Sequence, residues 1–183
     1  MGTESPPGEL GTAAPAFSLP ATDGRTCALD DVRGPKGLVV IFMCNHCPYV
    51  RAALPRIVRE ARDLATLGIG TVGINSNDSK TYPEDSFERM VALSAEWQLP
   101  FPYLFDETQQ VARAYDAVCT PEFYGFDSGL LLRYRGRLDA SRKDPVPDAR
   151  RDLFEAMQQI AQTGAAPDTQ YPAFGCSIKW KME

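Results

Sequence analysis

The sequence predicts an α/β fold built on a mixed sheet. Three observations point there. Leu38–Met43 (LVVIFM) and Ile69–Ile74 are apolar runs of strand length, the pattern of strands buried on both faces. Between them, apolar residues at 50, 54, 57, 58, 61 and 64 follow helical spacing. Downstream, Glu122–Phe126 and Leu130–Tyr134 flank Asp127-Ser128-Gly129, a hairpin signal. A strand–helix–strand unit implies parallel strands joined by a right-handed crossover, and the hairpin adds antiparallel ones.

Taken in order, the elements begin with a Pro/Gly-rich segment, residues 1–13, which reads as a flexible leader and has no apolar core of a signal peptide. In AFSLPATDGRTCALDDVRG, two short apolar stretches flank Asp23-Gly24, a first hairpin at the front of the domain. The first strand and a helix from Val50 to Leu67 follow, and Gly68 is a natural stop. After the second strand comes the polar turn NSNDSKTYPED. Asp85 with Glu88 has capping-box spacing for a helix carrying Phe87, Met90, Val91 and Trp97. Asp106 with Gln109 is placed to cap a shorter helix through Val111 and Tyr115. A last helix is expected from about Asp148 to Thr163, with Leu153, Phe154, Met157, Ile160 and Ala161 on one face. The domain is expected over residues 14–164. The tail, 165–183, is irregular but carries Tyr171, Phe174, Ile178 and Trp180, enough aromatic surface to pack back.

The 183 residues suit one domain with a sizeable core. A net charge of -5 argues against a general nucleic-acid or anionic-membrane binder, which needs a basic field. No stretch approaches the roughly 18 consecutive apolar residues of a membrane span. A cytoplasmic location is the expectation, and there thiols are kept reduced. Five cysteines in that setting point to catalysis or metal binding rather than to a disulfide scaffold.

Two of them lie in FMCNHCPYVRAALP, residues 42–55, with His46, the only histidine, between. Proline is favoured at the first helical position, where its missing N–H costs nothing. With Pro48 there, Cys47 is the N-cap. Were Cys44 the cap, Pro48 would remove the first intrahelical bond. A thiolate at a helix N-terminus is stabilised by the dipole and the free N–H groups. His46, if protonated, would favour it further.

These residues, with APAFSLPATDG, FPYLFDETQQVARAYDAVCTP and GCSIKWK, resemble the AhpC/TSA–redoxin superfamily of thioredoxin-like proteins over nearly the whole chain, about Ala14 to Lys181. The resemblance implies a thioredoxin-like fold. It places the helix-kinking proline at Pro55, eight residues after the nucleophile, which is then Cys47. The usual resolving position falls on Val50, so the standard partner is missing. Cys44 stands three residues upstream as a possible replacement. Thr120-Pro121 matches the cis-proline held against the active-site cysteine, which brings Cys119 nearby as another partner. Cys176, in CSIKWK, is similar to the resolving cysteine in the tail of two-cysteine peroxiredoxins, but an anchoring role in an apolar tail competes. Cys27 reads as packing.

Three functions compete at this stage. The first is a thiol-disulfide oxidoreductase, with Cys47 as nucleophile and Cys44 or Cys119 releasing the product, acting on protein or small-molecule disulfides with an external redox partner. The second is a thiol peroxidase passing through a sulfenic acid. The peroxiredoxin pattern of Pro seven and Thr three residues before the nucleophile is broken here by Val40 and Cys44. The third, metal binding, suffers from the single histidine, and no cofactor or metal is expected. The candidate catalytic set is Cys47, Cys44, Cys119, His46, Thr120 and Pro121. Asn75, Ser76, Asn77 and Asp78 end a strand where α/β folds bind ligands, but read equally as a polar turn.

Overall fold

A computed structural model describes residues 2–183. The central sheet has five strands: β4 (Gly37–Phe42), β5 (Ile69–Asn75), β6 (Tyr103–Phe105), β8 (Glu122–Phe126) and β9 (Leu132–Gly136). Their spatial order is β6-β5-β4-β8-β9. β4 pairs parallel with β5, and β5 with β6, whereas β8 and β9 run antiparallel. The expected mixed α/β architecture is present. The aromatic residues Phe101, Tyr103 and Phe105, in and just before β6, are all buried.

Every residue of β4 is buried, as the unbroken apolar run implied. Val39 and Ile41 face one core, and Leu38, Val40 and Phe42 face the other. The first core is closed by α2 (Pro48–Thr66), α3 (Phe87–Trp97) and α5 (Asp152–Thr163). The second is closed by the hairpin β2 (Ser18–Pro20)–β3 (Thr26–Ala28), the short α1 (Leu29–Val32) and α4 (Gln110–Ala114). Gly68, with φ of 78°, follows Leu67, the C-cap of α2, in the left-handed conformation that ends helices.

A second sheet positions the site. Its strand order is β1 (Gly2–Glu4), β10 (Phe174–Ser177) and β7 (Cys119–Thr120), all antiparallel. The supposedly loose leader is therefore corrected: Gly2 pairs opposite Cys176 and Glu4 opposite Phe174. The Ser5 N–H continues the ladder to Ala173 O at 2.9 Å, and the Gly11 N–H reaches Leu132 O at 2.8 Å. The cause is the tail. Residues 174–177, expected to be irregular, form a strand, and its outer edge offers backbone groups for the leader to satisfy.

Two caps also differ from expectation. The N-cap of α3 is Ser86, whose hydroxyl accepts from the Arg89 N–H, while Asp85 ends a one-turn 3-10 helix from Pro83 and points inward. α5 begins at Asp152, four residues later than Asp148, which sits at a left-handed φ of 53°. The Asp152 carboxylate is held by Arg137 and Arg150, each at 2.8 Å. Asp106 does cap α4: its carboxylate accepts from the Val111 and Ala112 N–H groups at 3.3 and 2.9 Å.

Candidate active site

The site is built where the N-terminus of α2 meets the β10–β7 ladder. Pro48 is the first residue of α2 and Cys47 its N-cap, with Pro55 inside the helix. The residue before Pro48 takes an extended conformation (φ -62°, ψ 125°), as the proline ring requires. This aims the Cys47 sulfur back across the helix mouth. The Thr120–Pro121 peptide is cis and brings the Thr120 carbonyl oxygen to 3.4 Å from Cys47 Sγ.

The group nearest the nucleophile is Cys176. Its sulfur lies 2.9 Å from that of Cys47. The register explains this. Cys176 stands directly opposite Thr120, and opposite residues of an antiparallel pair project to the same face. Thr120 Oγ1 points toward Cys44 Sγ at 3.6 Å, so Thr120, Cys176, Cys44 and Cys47 share one side of the ladder. Cys119 is one residue away along β7 and so faces the opposite way. Its sulfur lies 3.9 Å from Glu122 Oε1, beside the buried Glu122–Arg135 ion pair.

The electrostatics separate the four thiols. Cys47 is lowered to about 5. The main cause is a hydrogen bond from Cys44; burial opposes it, and the Cys176 thiol and the Val50 and Cys176 amides add to the lowering. Val50 occupies the third position of α2, where an N-cap side chain is normally met, although Cys47 makes no strict capping bond. Cys44 is pushed well up, first by that same bond to Cys47 and then by burial. Cys176 rises to about 11, chiefly through burial with its Cys47 contact added. Burial together with the Glu122 charge pushes Cys119 up strongly. The Cys47 thiolate is thus favoured while the Cys44 and Cys176 thiols beside it stay protonated.

His46 turns away from the sulfurs. Its Nδ1 is 2.5 Å from Asp85 Oδ2, and its ring stacks on Tyr82 with the centroids 5.9 Å apart. Asp85 is fully buried. Its carboxylate accepts from the Asn45 N–H at 2.8 Å, the His46 N–H at 3.3 Å and Asn77 Nδ2 at 2.8 Å. Tyr103 Oη donates to Asn45 Oδ1 at 2.8 Å. The CNHC loop is therefore pinned from below by residues that the sequence reading left outside the site: Asp85, Asn77 and Tyr103. Asn75, at the end of β5, joins them by donating to Asp85 O at 2.8 Å.

Cys44 Sγ, a His46 ring nitrogen and an Asp85 carboxylate oxygen lie within 4.8 Å of one another and could in principle ligate a metal. Both Asp85 oxygens already accept amide N–H groups, and His46 Nδ1 abuts the carboxylate directly. The cluster as built orients the loop.

Of the expected site residues, Cys47, Cys44, Thr120 and Pro121 come together, His46 borders them through Asp85, and Cys119 lies behind the ladder. Cys176, treated in the sequence mainly as an anchor, is in contact with the nucleophile. The signal for it was the CSIKWK tail, similar to the one that carries the resolving cysteine of two-cysteine peroxiredoxins.

Comparison with known proteins finds relatives of this chain among redox proteins and solved structures. The chain is 45% identical to an uncharacterized conserved protein from Geobacillus kaustophilus of known crystal structure, with a TM-score of 0.95, covering 100% of this chain and 98% of that one. It is 29% identical over 115 residues to "Putative peroxiredoxin Rv2521" of Mycobacterium tuberculosis, covering 63% of this chain and 68% of the relative. It is 26% identical over 111 residues to the thiol-disulfide oxidoreductase ResA of Bacillus subtilis, covering 61% and 58% respectively. The architecture is thioredoxin-like. The AhpC/TSA family model matches residues 10–138, more than half of the sequence, so the chain belongs to the AhpC/TSA family.

Proposed function

We propose that the protein is a thiol-disulfide oxidoreductase whose reactive pair is Cys47 and Cys176. The observation that carries this is the 2.9 Å approach of Cys176 to a Cys47 whose pKa is lowered to about 5. The Cys47 thiolate attacks one sulfur of a substrate disulfide and expels the other as a thiolate. Cys176 then loses its proton and attacks the Cys47 sulfur, closing an intramolecular disulfide and releasing the second half of the substrate. Cys44, its sulfur 3.6 Å from Thr120 Oγ1, favours the Cys47 thiolate from beside it. Thr120, Pro121 and His46 position the loop and ladder. The relation to ResA supports the reading.

Of the three candidate resolvers, Cys44, Cys119 and Cys176, the contact between the Cys176 and Cys47 sulfurs favours Cys176. Cys44 is the donor that stabilises the leaving and attacking forms of Cys47, and Cys119 faces the Glu122 side. A cytoplasmic setting goes with this reading, because reducing thiols there would regenerate the dithiol. No helix is long and apolar enough to cross a membrane.

A hydroperoxidase reading has support in the family and in the peroxiredoxin-named relative. In it, the same thiolate would become a sulfenic acid that Cys176 condenses to the same disulfide. Against it, Cys44 stands where a peroxide-orienting threonine would be. Second-order rates of the reduced protein with bis(2-hydroxyethyl) disulfide and with hydrogen peroxide decide between them. The oxidoreductase reading expects the disulfide to react faster, and both rates to vanish in Cys47→Ser. Rapid peroxide consumption with negligible disulfide exchange would favour the peroxidase.

A further inference from the structure

We propose that Glu122 is a positioning residue for the closing step of the exchange: its carboxylate fixes the register in which β7 meets β10, and with it the approach of Cys176 to Cys47. The inference rests on the oxidoreductase reading and names what aligns its second step.

The contact between the two sulfurs hangs on a short ladder. β7 is two residues long, and β10 pairs with it through Cys176 opposite Thr120 and Ser177 opposite Cys119. One further bond, from the Ile178 N–H to Val118 O at 3.1 Å, extends the pairing. Past Thr120 comes Pro121, which has no N–H to add to it. So few pairs specify register weakly, and a slip of one residue would exchange Cys176 for Ser177 beside the nucleophile.

Glu122 supplies the missing constraint. It is fully buried, on the side of β7 that Cys119 faces. Its Oε1 accepts from the Val118 N–H at 2.8 Å and the Cys119 N–H at 3.3 Å. Its Oε2 accepts from Arg135 Nε at 2.7 Å and lies 3.0 Å from Tyr124 Oη. Arg135 Nη2 donates in turn to Asp116 O at 2.7 Å, in the loop that leads into β7. The Arg135 backbone N–H donates to Gln170 Oε1 at 3.0 Å, and Gln170 Nε2 to Arg133 O at 2.8 Å, in the tail just ahead of β10. The segments that feed both strands of the ladder are thus bonded to neighbouring residues of β8 and β9.

Stability alone does not account for this ion pair. A buried pair replaced whole by apolar residues of similar size is often no less stable. What apolar residues cannot supply is a directed acceptor for the two amides at β7. Glu122 touches neither reacting sulfur and acts through β7.

In the closing step, half of the substrate is held on Cys47 as a mixed disulfide. The Cys176 thiol gives up its proton, its sulfur bonds to Cys47 Sγ, the mixed disulfide bond breaks, and the departing thiolate takes up a proton. A misplacement of about 1 Å in such a step costs on the order of a hundredfold in rate.

The test uses two double variants that both remove the ion pair without leaving a lone charge. Glu122→Gln with Arg135→Leu keeps an acceptor oxygen for the β7 amides, and Glu122→Leu with Arg135→Leu does not. Each reduced full-length protein is mixed with bis(2-hydroxyethyl) disulfide. Mass spectrometry of acid-quenched samples follows the adduct on Cys47: its appearance gives the capture rate, and its conversion to the Cys47–Cys176 disulfide gives the closing rate. The ratio of closing to capture is expected to fall at least about tenfold in the Glu122→Leu double variant, and to stay within about threefold of the parent in the Glu122→Gln one. A smaller folded fraction would lower both rates together, so the ratio reads position. A Glu122→Leu double variant with the parent's ratio would overturn the proposal. So would a fall of about tenfold in the Glu122→Gln double variant, whether or not the other variant folds. A parent that forms neither the adduct nor the disulfide would instead sink the oxidoreductase reading itself.

Discussion

Cys176 stands directly across the β10–β7 ladder from Thr120, and that register sets its sulfur 2.9 Å from Cys47. The proposed reactive pair joins residues 129 positions apart, through a strand formed by the tail. In the proposed reading the two cysteines of the Cys-x-x-Cys motif have unequal parts: the second is the nucleophile, its pKa lowered to about 5, and the first, pushed well up, stays protonated beside it.

Removing the resolver should separate the two chemical steps. Cys176→Ser is expected to complete the first exchange and stall as a mixed disulfide on Cys47. Mass spectrometry after mixing with bis(2-hydroxyethyl) disulfide should show one adduct per chain, and multiple turnovers should be lost. Free turnover in this variant would exclude Cys176 from the cycle.

The pH dependence follows from the sign of the Cys47 shift. A pKa lowered to about 5 means that the thiolate is present above that pH and is lost as pH falls through it. Iodoacetamide trapping of Cys47 should therefore be level from neutral pH down to about pH 6 and fall tenfold per unit below pH 5. A midpoint near the ordinary thiol value would refute the electrostatic picture.

Cys44→Ala deletes the largest influence lowering Cys47. The midpoint of the same trapping curve should move up by about 1 unit or more, so that at pH 5 about fivefold less thiolate is present. The Cys47–Cys176 disulfide should still form. Cys119→Ser, on the opposite face of β7, is expected to leave both the midpoint and the exchange rate within about twofold.

Asp85→Ala should destabilise the protein and loosen the active loop together. The substitution leaves the Asn45 N–H and Asn77 amide without an acceptor and removes the contact to His46. We expect a loss of about 2–4 kcal/mol in urea unfolding, from buried donors left unpaired. Asp85→Asn keeps an acceptor oxygen and should cost less. Equal stability of Asp85→Ala and the parent would show that the loop is held elsewhere.

The parts of the site that were legible in the sequence are those governed by local chemistry. Pro48 fixes the start of α2 and hence puts Cys47 at its cap, because an internal proline has no N–H to give. The uninterrupted apolar runs fixed the central strands, because a strand buried on both faces has no polar side to show. Asp85 misled for an instructive reason. Its spacing to Glu88 has the form of a capping box, but Pro83 opens a 3-10 turn one step earlier and passes the cap to Ser86. The freed carboxylate goes inward, to amides that only tertiary structure brings near. Cys176 was hard to place for the same reason. Which face of β10 it occupies depends on pairing with β7, and a shift of one residue would have turned it away from Cys47 and brought Ser177 into its place.

The central claim is tested most directly by mapping the disulfide formed when the reduced protein is oxidised with one equivalent of bis(2-hydroxyethyl) disulfide. Peptide mass spectrometry under non-reducing conditions should find Cys47 linked to Cys176 within one chain, with Cys27, Cys44 and Cys119 free. A Cys44–Cys47 link, or a Cys176 joined only between chains, would contradict the account.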